Sequence, residues 1–321
     1  MGIQSLSQRI GVIASSGGHI PLVDGKFVII ASGASNGNRI NYSLDGKHWN
    51  TGAISDRDWR TVSFDKANKK FIVTGSNIAF TAYSSDGISF TTVGHPIALI
   101  TGAVNETGTA IAVGVNTARY STDGGVNWTT TTIPSGTYYA AEWSQYNGKF
   151  FAFATNGVRV SSSDGITWTS LTSGSATSWV NIDTNDVTGR MVAISYSNPT
   201  YVVSSDDGGT TWSAAASAGI DANGAALKWV PAPRSHWAAG TQSGSQGLFT
   251  SATGAAGTFT RQTGSGANVF GLAYSPELNI LVSANFQSYP QYSTDNASAV
   301  WTQGSNVAAN TWQDIAWGNF A

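Results

Sequence analysis

Cleaving a glycosidic bond requires two facing carboxylic acids, and this chain of 321 residues has few acids to offer. Asp and Glu total 18, and only Glu106, Glu142 and Glu277 are Glu. No two acids stand out in the sequence as a facing pair. Asp56 and Asp58, on either side of Arg57, come nearest, and three alternating charges in a polar stretch read better as a solvated loop. His19, His48, His95 and His236 show neither metal-ligand spacing nor triad partners, so they read as ordinary surface or turn histidines. The chain has no Cys, which removes thiol catalysis, thiolate ligands and disulfides together. The residue types predict a protein that is not an enzyme and holds no cofactor and no metal.

Recognition chemistry is better represented. Aromatic faces flanked by amides and hydroxyls suit sugar rings, whose C–H faces stack while their hydroxyls hydrogen-bond. The candidates are Asn36, Arg39, Arg57, Asp58, Trp59, Asn77, His95, Asn116, Tyr138, Asn156, Trp179, Tyr196, Tyr289 and Trp312. Trp59, Tyr138, Trp179 and Trp312 each open a stretch of alternating apolar and polar residues. They are expected nearest the axis of the fold, where they either meet a ligand or plug a central channel by packing.

The elements that must position these residues come from a repeat. A turn of the form Ser-x-Asp-Gly followed by an aromatic recurs seven times. Its copies begin at Ser43, Ser84, Ser121, Ser162, Ser205, Ser251 and Ser293, and carry Asp45, Asp86, Asp123, Asp164, Asp207 and Asp295, with Thr253 in the remaining copy. The aromatics are Trp49, Phe90, Trp128, Trp168, Trp212, Phe259 and Trp301. Successive third positions are 41, 37, 41, 43, 46 and 42 residues apart, the length of a four-stranded propeller blade. In the second copy, Trp59–Phe64, Phe71–Thr74, Phe80–Tyr83 and Ile88–Thr92 read as successive strands. Equivalent first strands are read at Ile100–Asn105, Tyr138–Trp143, Trp179–Thr184, Gly224–Trp229, Val269–Tyr274 and Trp312–Trp317.

The last of these has no second strand after it, and the first turn follows Lys26–Ile30 with no clear first strand of its own. The sequence therefore predicts an all-β, seven-bladed β-propeller of four-stranded antiparallel blades, closed by the C-terminal strand joining the N-terminal blade. Within each turn, Asp accepts backbone N–H groups, Gly tolerates positive φ and the aromatic packs between strands, so these residues read as structural. One carboxylate per turn is too few ligands for calcium.

The repeat resembles the Asp-box, or BNR repeat, of sialidases, some glycoside hydrolases, sortilin-type receptors and photosystem assembly factors. Ser121 to Trp128 and Ser205 to Trp212 match its full S-x-D-x-G-x-x-W form, and the resemblance runs from about Gly18 onward. It implies a sialidase-like fold whose boxes lie on the face away from the binding site. The sialidase catalytic set is missing: Arg9-Ile10-Gly11 matches the opening Arg-Ile-Pro element only faintly. On this reading Glu106, Glu142 and Glu277 fall on the box side, away from the site.

Composition narrows the partners. Charged residues are 11% of the chain and net charge is −2, against about 25% charged in typical domains. A polar, uncharged surface lacks the basic stripe that nucleic acid requires, and no apolar run approaches the length of a membrane span. Met1–Ile20 does not read as a secretion signal. Residues 1–18 are expected to form an N-terminal arm or packed extra strand, and residues 19–321 the propeller. The Ser, Thr, Gly and Asn-rich surface is similar in composition to tail-fibre and baseplate proteins of bacterial viruses. The expected function is a virion or extracellular receptor-binding propeller that recognises a glycan or another protein. The alternatives are a bacterial lectin or scaffold and a divergent glycoside hydrolase; a cytoplasmic location is also open.

Overall fold

The computed structural model describes residues 24–33, 38–171, 177–242, 247–262, 264–266 and 268–321. The expected arm at 1–18, His19 and Asn36 lie outside them. All regular structure among the described residues is β-strand. The second strand of each repeat is buried on both faces, as in Lys149–Ala154 (KFFAFA) and Met191–Ser195 (MVAIS). A strand sandwiched between two neighbouring sheets has no polar face, so these stretches are nearly unbroken apolar runs. The outermost strands Asn50–Thr51, Thr169–Ser170 and Thr302–Gln303 are short and exposed. Such edges offer another chain little to pair with.

The ladders form an eight-stranded, a seven-stranded and three four-stranded antiparallel sheets. Each four-stranded sheet is one repeat: Tyr138–Ser144 pairs with Lys149–Ala154, then come Arg159–Ser162 and Thr169–Ser170. The seven-stranded sheet is two repeats sharing one strand. Thr91–Val104 pairs with Ile78–Ser84 through its first half and with Ala110–Gly114 through its second. The separate strands expected at Ile88–Thr92 and Ile100–Asn105 are thus partly fused. Pro96 disfavours helical backbone at His95, and no Asn-Gly or Asp-Gly turn intervenes, so the chain runs on extended.

Asn310–Asn319 pairs antiparallel with Gly25–Ala31, placing Trp317 opposite Phe27 and Ile315 opposite Ile29. The Phe320 N–H also reaches Asp24 O at 2.7 Å. The C-terminal segment supplies the strand that the N-terminal repeat lacks. First strands pack in order, from Trp59–Asp65 through Thr91–Val104 (by its second half), Tyr138–Ser144, Trp179–Thr184, Gly224–Val230 and Val269–Ser275 to Asn310–Asn319, which returns against Trp59–Asp65. They surround a cavity of about 440 Å³.

The box turns lock both within and between repeats. Asp86 Oδ1 accepts the N–H groups of Ile88 and Ser89 at 2.8 and 2.9 Å, and Asp164 Oδ1 those of Ile166 and Thr167 at 2.8 Å each. Ser84 and Ser162 accept the N–H of Gly87 and Gly165 at 2.9 Å. Burial opposes charge on Asp45, Asp86, Asp123, Asp164 and Asp295, but these bonds outweigh it and hold each below the usual carboxylate range. Asp207 falls to about 2, chiefly because the Thr211 hydroxyl and amide both donate to it. Trp128 and Trp212 donate their indole N–H to Gly125 O and Gly209 O at 2.9 Å.

The turn glycines also make the joint to the preceding repeat. A Cβ on Gly209 would lie 2.3 Å from Phe151 Cε1, and one on Gly165 2.7 Å from Ile111 Cγ2. Across the closure, one on Gly46 would lie 2.9 Å from Val282 Cγ2.

Candidate functional site

Many of the predicted recognition residues already have partners. Arg39 is 9% exposed and lies 2.5 Å from Asp56 Oδ1 and 3.9 Å from Asp58. Asp58 Oδ1 also accepts the Gly33 N–H at 2.8 Å. Arg57 stacks 3.5 Å from the Phe80 ring centroid, so this loop is braced rather than merely solvated. Asn77 and Asn116 adopt left-handed turns at φ 57° and 53°, and Asn116 Oδ1 accepts from Ser135 Oγ and Gly136 N–H. Asn156 Nδ2 donates to Ser135 O at 3.4 Å. His95 Nε2 hydrogen-bonds with Thr81 Oγ1 at 2.8 Å, and burial, then the Arg119 charge, lower its pKa to about 4. Tyr196 and Tyr289 are the candidates whose rings remain open to solvent.

Trp59, Tyr138, Trp179 and Trp312 do not line the central cavity. All four are fully buried, and they sit in separate hydrophobic clusters with the second strands of the repeats. Trp59 donates to Ser55 O at 3.0 Å and Tyr138 to Pro134 O at 2.6 Å. The physical reason is a β-bulge just after each ring: the register shifts between Trp59 and Thr61, Tyr138 and Ala140, and Trp179 and Asn181. A bulge adds one residue and re-aims the side chains that follow. The next residues, Arg60, Tyr139, Val180 and Gln313, therefore line the cavity.

That cavity carries a charged cluster. Lys228 Nζ donates to Asp183 Oδ1 at 3.0 Å, and the other Asp183 oxygen accepts the Trp229 N–H from the neighbouring first strand. Asp314 Oδ2 accepts the Val62 N–H at 3.0 Å in the same way. These carboxylates cap edge amides that no strand pairs, linking one repeat to the next. Glu142 completes the group. Burial, then repulsion from Asp183, raises its pKa well above the carboxylate range, and burial lifts Asp314 to about 7. For Lys228 burial opposes the charge, but Asp183 and Glu142 outweigh it and hold the ammonium firmly protonated. Arg60 stands over the Tyr139 ring at 4.8 Å from its centroid.

The sequence reading missed this cluster. It set Glu142 on the box side away from any site, whereas Glu142 lines the cavity. A signal existed: Glu142, Asp183 and Lys228 are each the fifth residue of their first strand, counting from Tyr138, Trp179 and Gly224. Glu277 does lie apart, accepting from Trp317 Nε1 and Asn319 Nδ2 at 3.0 and 2.7 Å. His236, read as a surface or turn residue, is buried, with its Nε2 3.1 Å from Ser298 Oγ. Among the described residues no group of three or more His, Asp or Glu could hold a metal ion. No helix among them is long and apolar enough to cross a membrane.

Residues 109–227 match the family described as the DUF6242 beta propeller domain. No curated protein matches the sequence. Several solved structures resemble the chain. A structure of YCF48 bound to D1 peptide gives a TM-score of 0.61 at 18% identity, covering 78% of this chain and 83% of that one. A putative 6-phosphogluconolactonase from Bacteroides uniformis gives 0.68 at 10% identity, covering 92% and 99%. Apo AztD from Citrobacter koseri gives 0.63 at 9%, covering 91% and 98%. These likenesses are of fold, and that fold is a β-propeller.

Proposed function

We propose that the chain is a seven-bladed propeller that works by binding rather than catalysis, and that it meets an extended peptide or a glycan at the rim opposite the box turns. The observation behind this reading is a pair of exposed rings on the rim opposite the box turns, although the box side also exposes Tyr146. On the box side the acids are bound by backbone amides and turn hydroxyls. On the other, Tyr196 is 42% exposed at the mouth of the cavity, and Tyr289 is 37% exposed elsewhere on the rim. Exposed aromatics of this kind anchor peptides and sugars alike. The count of seven rests on the box repeat and on the ring of first strands. YCF48, solved bound to D1 peptide, is a protein of this fold that holds a peptide, which favours the peptide over the glycan.

Peptide and glycan arrays probed with the wild-type chain and with a Tyr196→Ala/Tyr289→Ala variant test the reading. Selective binding lost in the variant supports it, and binding retained in full rejects the rim. The sparse charge supports a place in a virus particle, as a tail-fibre or baseplate component. Mass spectrometry of purified particles tests that location.

One observation favours a divergent glycoside hydrolase instead. Glu142 and Asp314 reach the cavity from different strands, and both keep their protons above the usual carboxylate range, the state an acid catalyst needs. Release of reducing sugar from an array-identified glycan, abolished in Glu142→Gln, would establish that reading.

A further inference from the structure

Two ionisable side chains in the central cavity, the Glu142 carboxyl and the Arg60 guanidinium, lack a hydrogen-bond partner among the described residues. Glu142 accepts no hydrogen bond from any described residue, while Lys228 beside it is bonded to Asp183. Arg60 donates none to any described residue, and its Nε is enclosed and unpaired. The other charged groups lining the cavity are engaged: Asp183 by Lys228 and the Trp229 N–H, and Asp314 by the Val62 N–H. An enclosed polar atom without a hydrogen-bond partner, as Arg60 Nε is, is costly to leave unmatched. The cavity thus presents one protonated carboxyl and one guanidinium, each with hydrogen-bonding capacity left for a group from outside.

Their separation limits what fits. Arg60 lies at the level of Tyr139, and Glu142 is three residues further along that same strand, a backbone offset on the order of 10 Å at the rise of a β-strand. A single amino acid carries its ammonium and carboxylate too close together to reach both. An extended tripeptide spans about 10 Å. The cavity of about 440 Å³ falls in the range of roughly 300–1,000 Å³ typical of ligand sites. Tyr138–Ser144, Trp179–Thr184 and Gly224–Val230 are edge strands of their sheets and line this cavity. Edge strands of this kind can pair with an extended backbone, although Asp183 already caps the Trp229 N–H.

We propose that the cavity binds a short zwitterionic peptide about three residues long, with its terminal carboxylate on Arg60 and its terminal ammonium at Glu142. The proposal rests on the binding reading above but not on the rim or on the partner found there.

Isothermal titration of the full chain with trialanine, N-acetyl-trialanine and trialanine amide tests it. The free tripeptide is expected to bind, and each capped form to bind about tenfold more weakly or worse, as loss of a charged hydrogen bond implies. Arg60→Gln should weaken trialanine by a similar factor and become insensitive to amidation. Glu142→Gln should do the same and become insensitive to acetylation. This matching of variant to cap separates direct contact from a general loss of fold, and the capped peptides need no variant at all. Absence of heat at millimolar trialanine overturns the proposal, as does binding indifferent to both caps. Sensitivity to one cap alone overturns the zwitterion and leaves a simple anion or cation site. A rim partner from the arrays that Arg60→Gln leaves unaffected, with no trialanine binding, sinks this inference while sparing the rim reading.

Discussion

Asp86 and Glu142 are both carboxylates, and their surroundings drive them in opposite directions. Asp86 receives two backbone N–H groups and the Ser84 hydroxyl, which stabilise its charge. Glu142 receives none and faces the Asp183 charge. Asp86→Ala removes the acceptor for the Ile88 and Ser89 amides, which water then solvates in part. The expected cost is about 1 kcal/mol, read as a lower urea midpoint at unchanged slope. Glu142→Gln is expected to act with the opposite sign and only at higher pH. In strong acid both folded and unfolded chains hold the Glu142 proton. As pH rises through the ordinary Glu range the unfolded chain releases it while the fold retains it, so wild-type stability falls. The variant should therefore match wild type in thermal melts at pH 4 and melt higher at pH 8; a lower melt at pH 8 refutes the assigned shift. The box acids were legible because the same residue returns at a fixed interval with its Gly and aromatic. Glu142 shares its place with Asp183 and Lys228, but the other first strands carry Ser63, Ala103 or Ala273 there, and nothing in one strand alone reveals a cluster assembled from several.

Strands and turns carried more of their outcome in the sequence than single residues did. The first, second and third strands of the second repeat form within a residue or two of where alternation and apolar runs place them. What alternation could not give was the bulge after each opening aromatic, because one extra residue shows only in the pairing register. Alternation alone therefore sets Trp59 and Trp179 toward the axis, whereas they are the large inserts between sheets. Trp179→Ala is expected to cost about 3–5 kcal/mol as a core truncation, lowering the chemical-denaturation midpoint whatever ligand is present. Gly209 marks the other kind of element-level constraint. At φ 78°, with Phe151 waiting 2.3 Å from any Cβ, Gly209→Ala adds backbone strain to a steric clash. A loss of about 2 kcal/mol or more is expected; an unchanged midpoint would mean the joint between these repeats is slack.

For the molecule as a whole, closure follows from the mismatch at the two ends of the repeat: a first strand with nothing after it, and a second strand with nothing before it. Asn310–Asn319 fills that gap, burying Trp312 and Ile315 with Phe27 and Ile29. Removing residues 310–321 exposes both an unpaired strand edge and that cluster. The truncated chain is expected to lose its cooperative melt and aggregate rather than fray locally; a melt like that of the full chain would show the closure to be dispensable. Partner identity was not legible at any scale, because the rim side chains that set it stand on loops whose sequences do not repeat.

Joints around the circle are not equivalent. Where Thr91–Val104 belongs to two sheets at once, neighbouring segments cannot hinge without tearing a continuous ladder. If the torus ever gapes to admit cargo, the seam opens elsewhere, and amide deuteration should report Ile72 and Ile111 as one slow cooperative block.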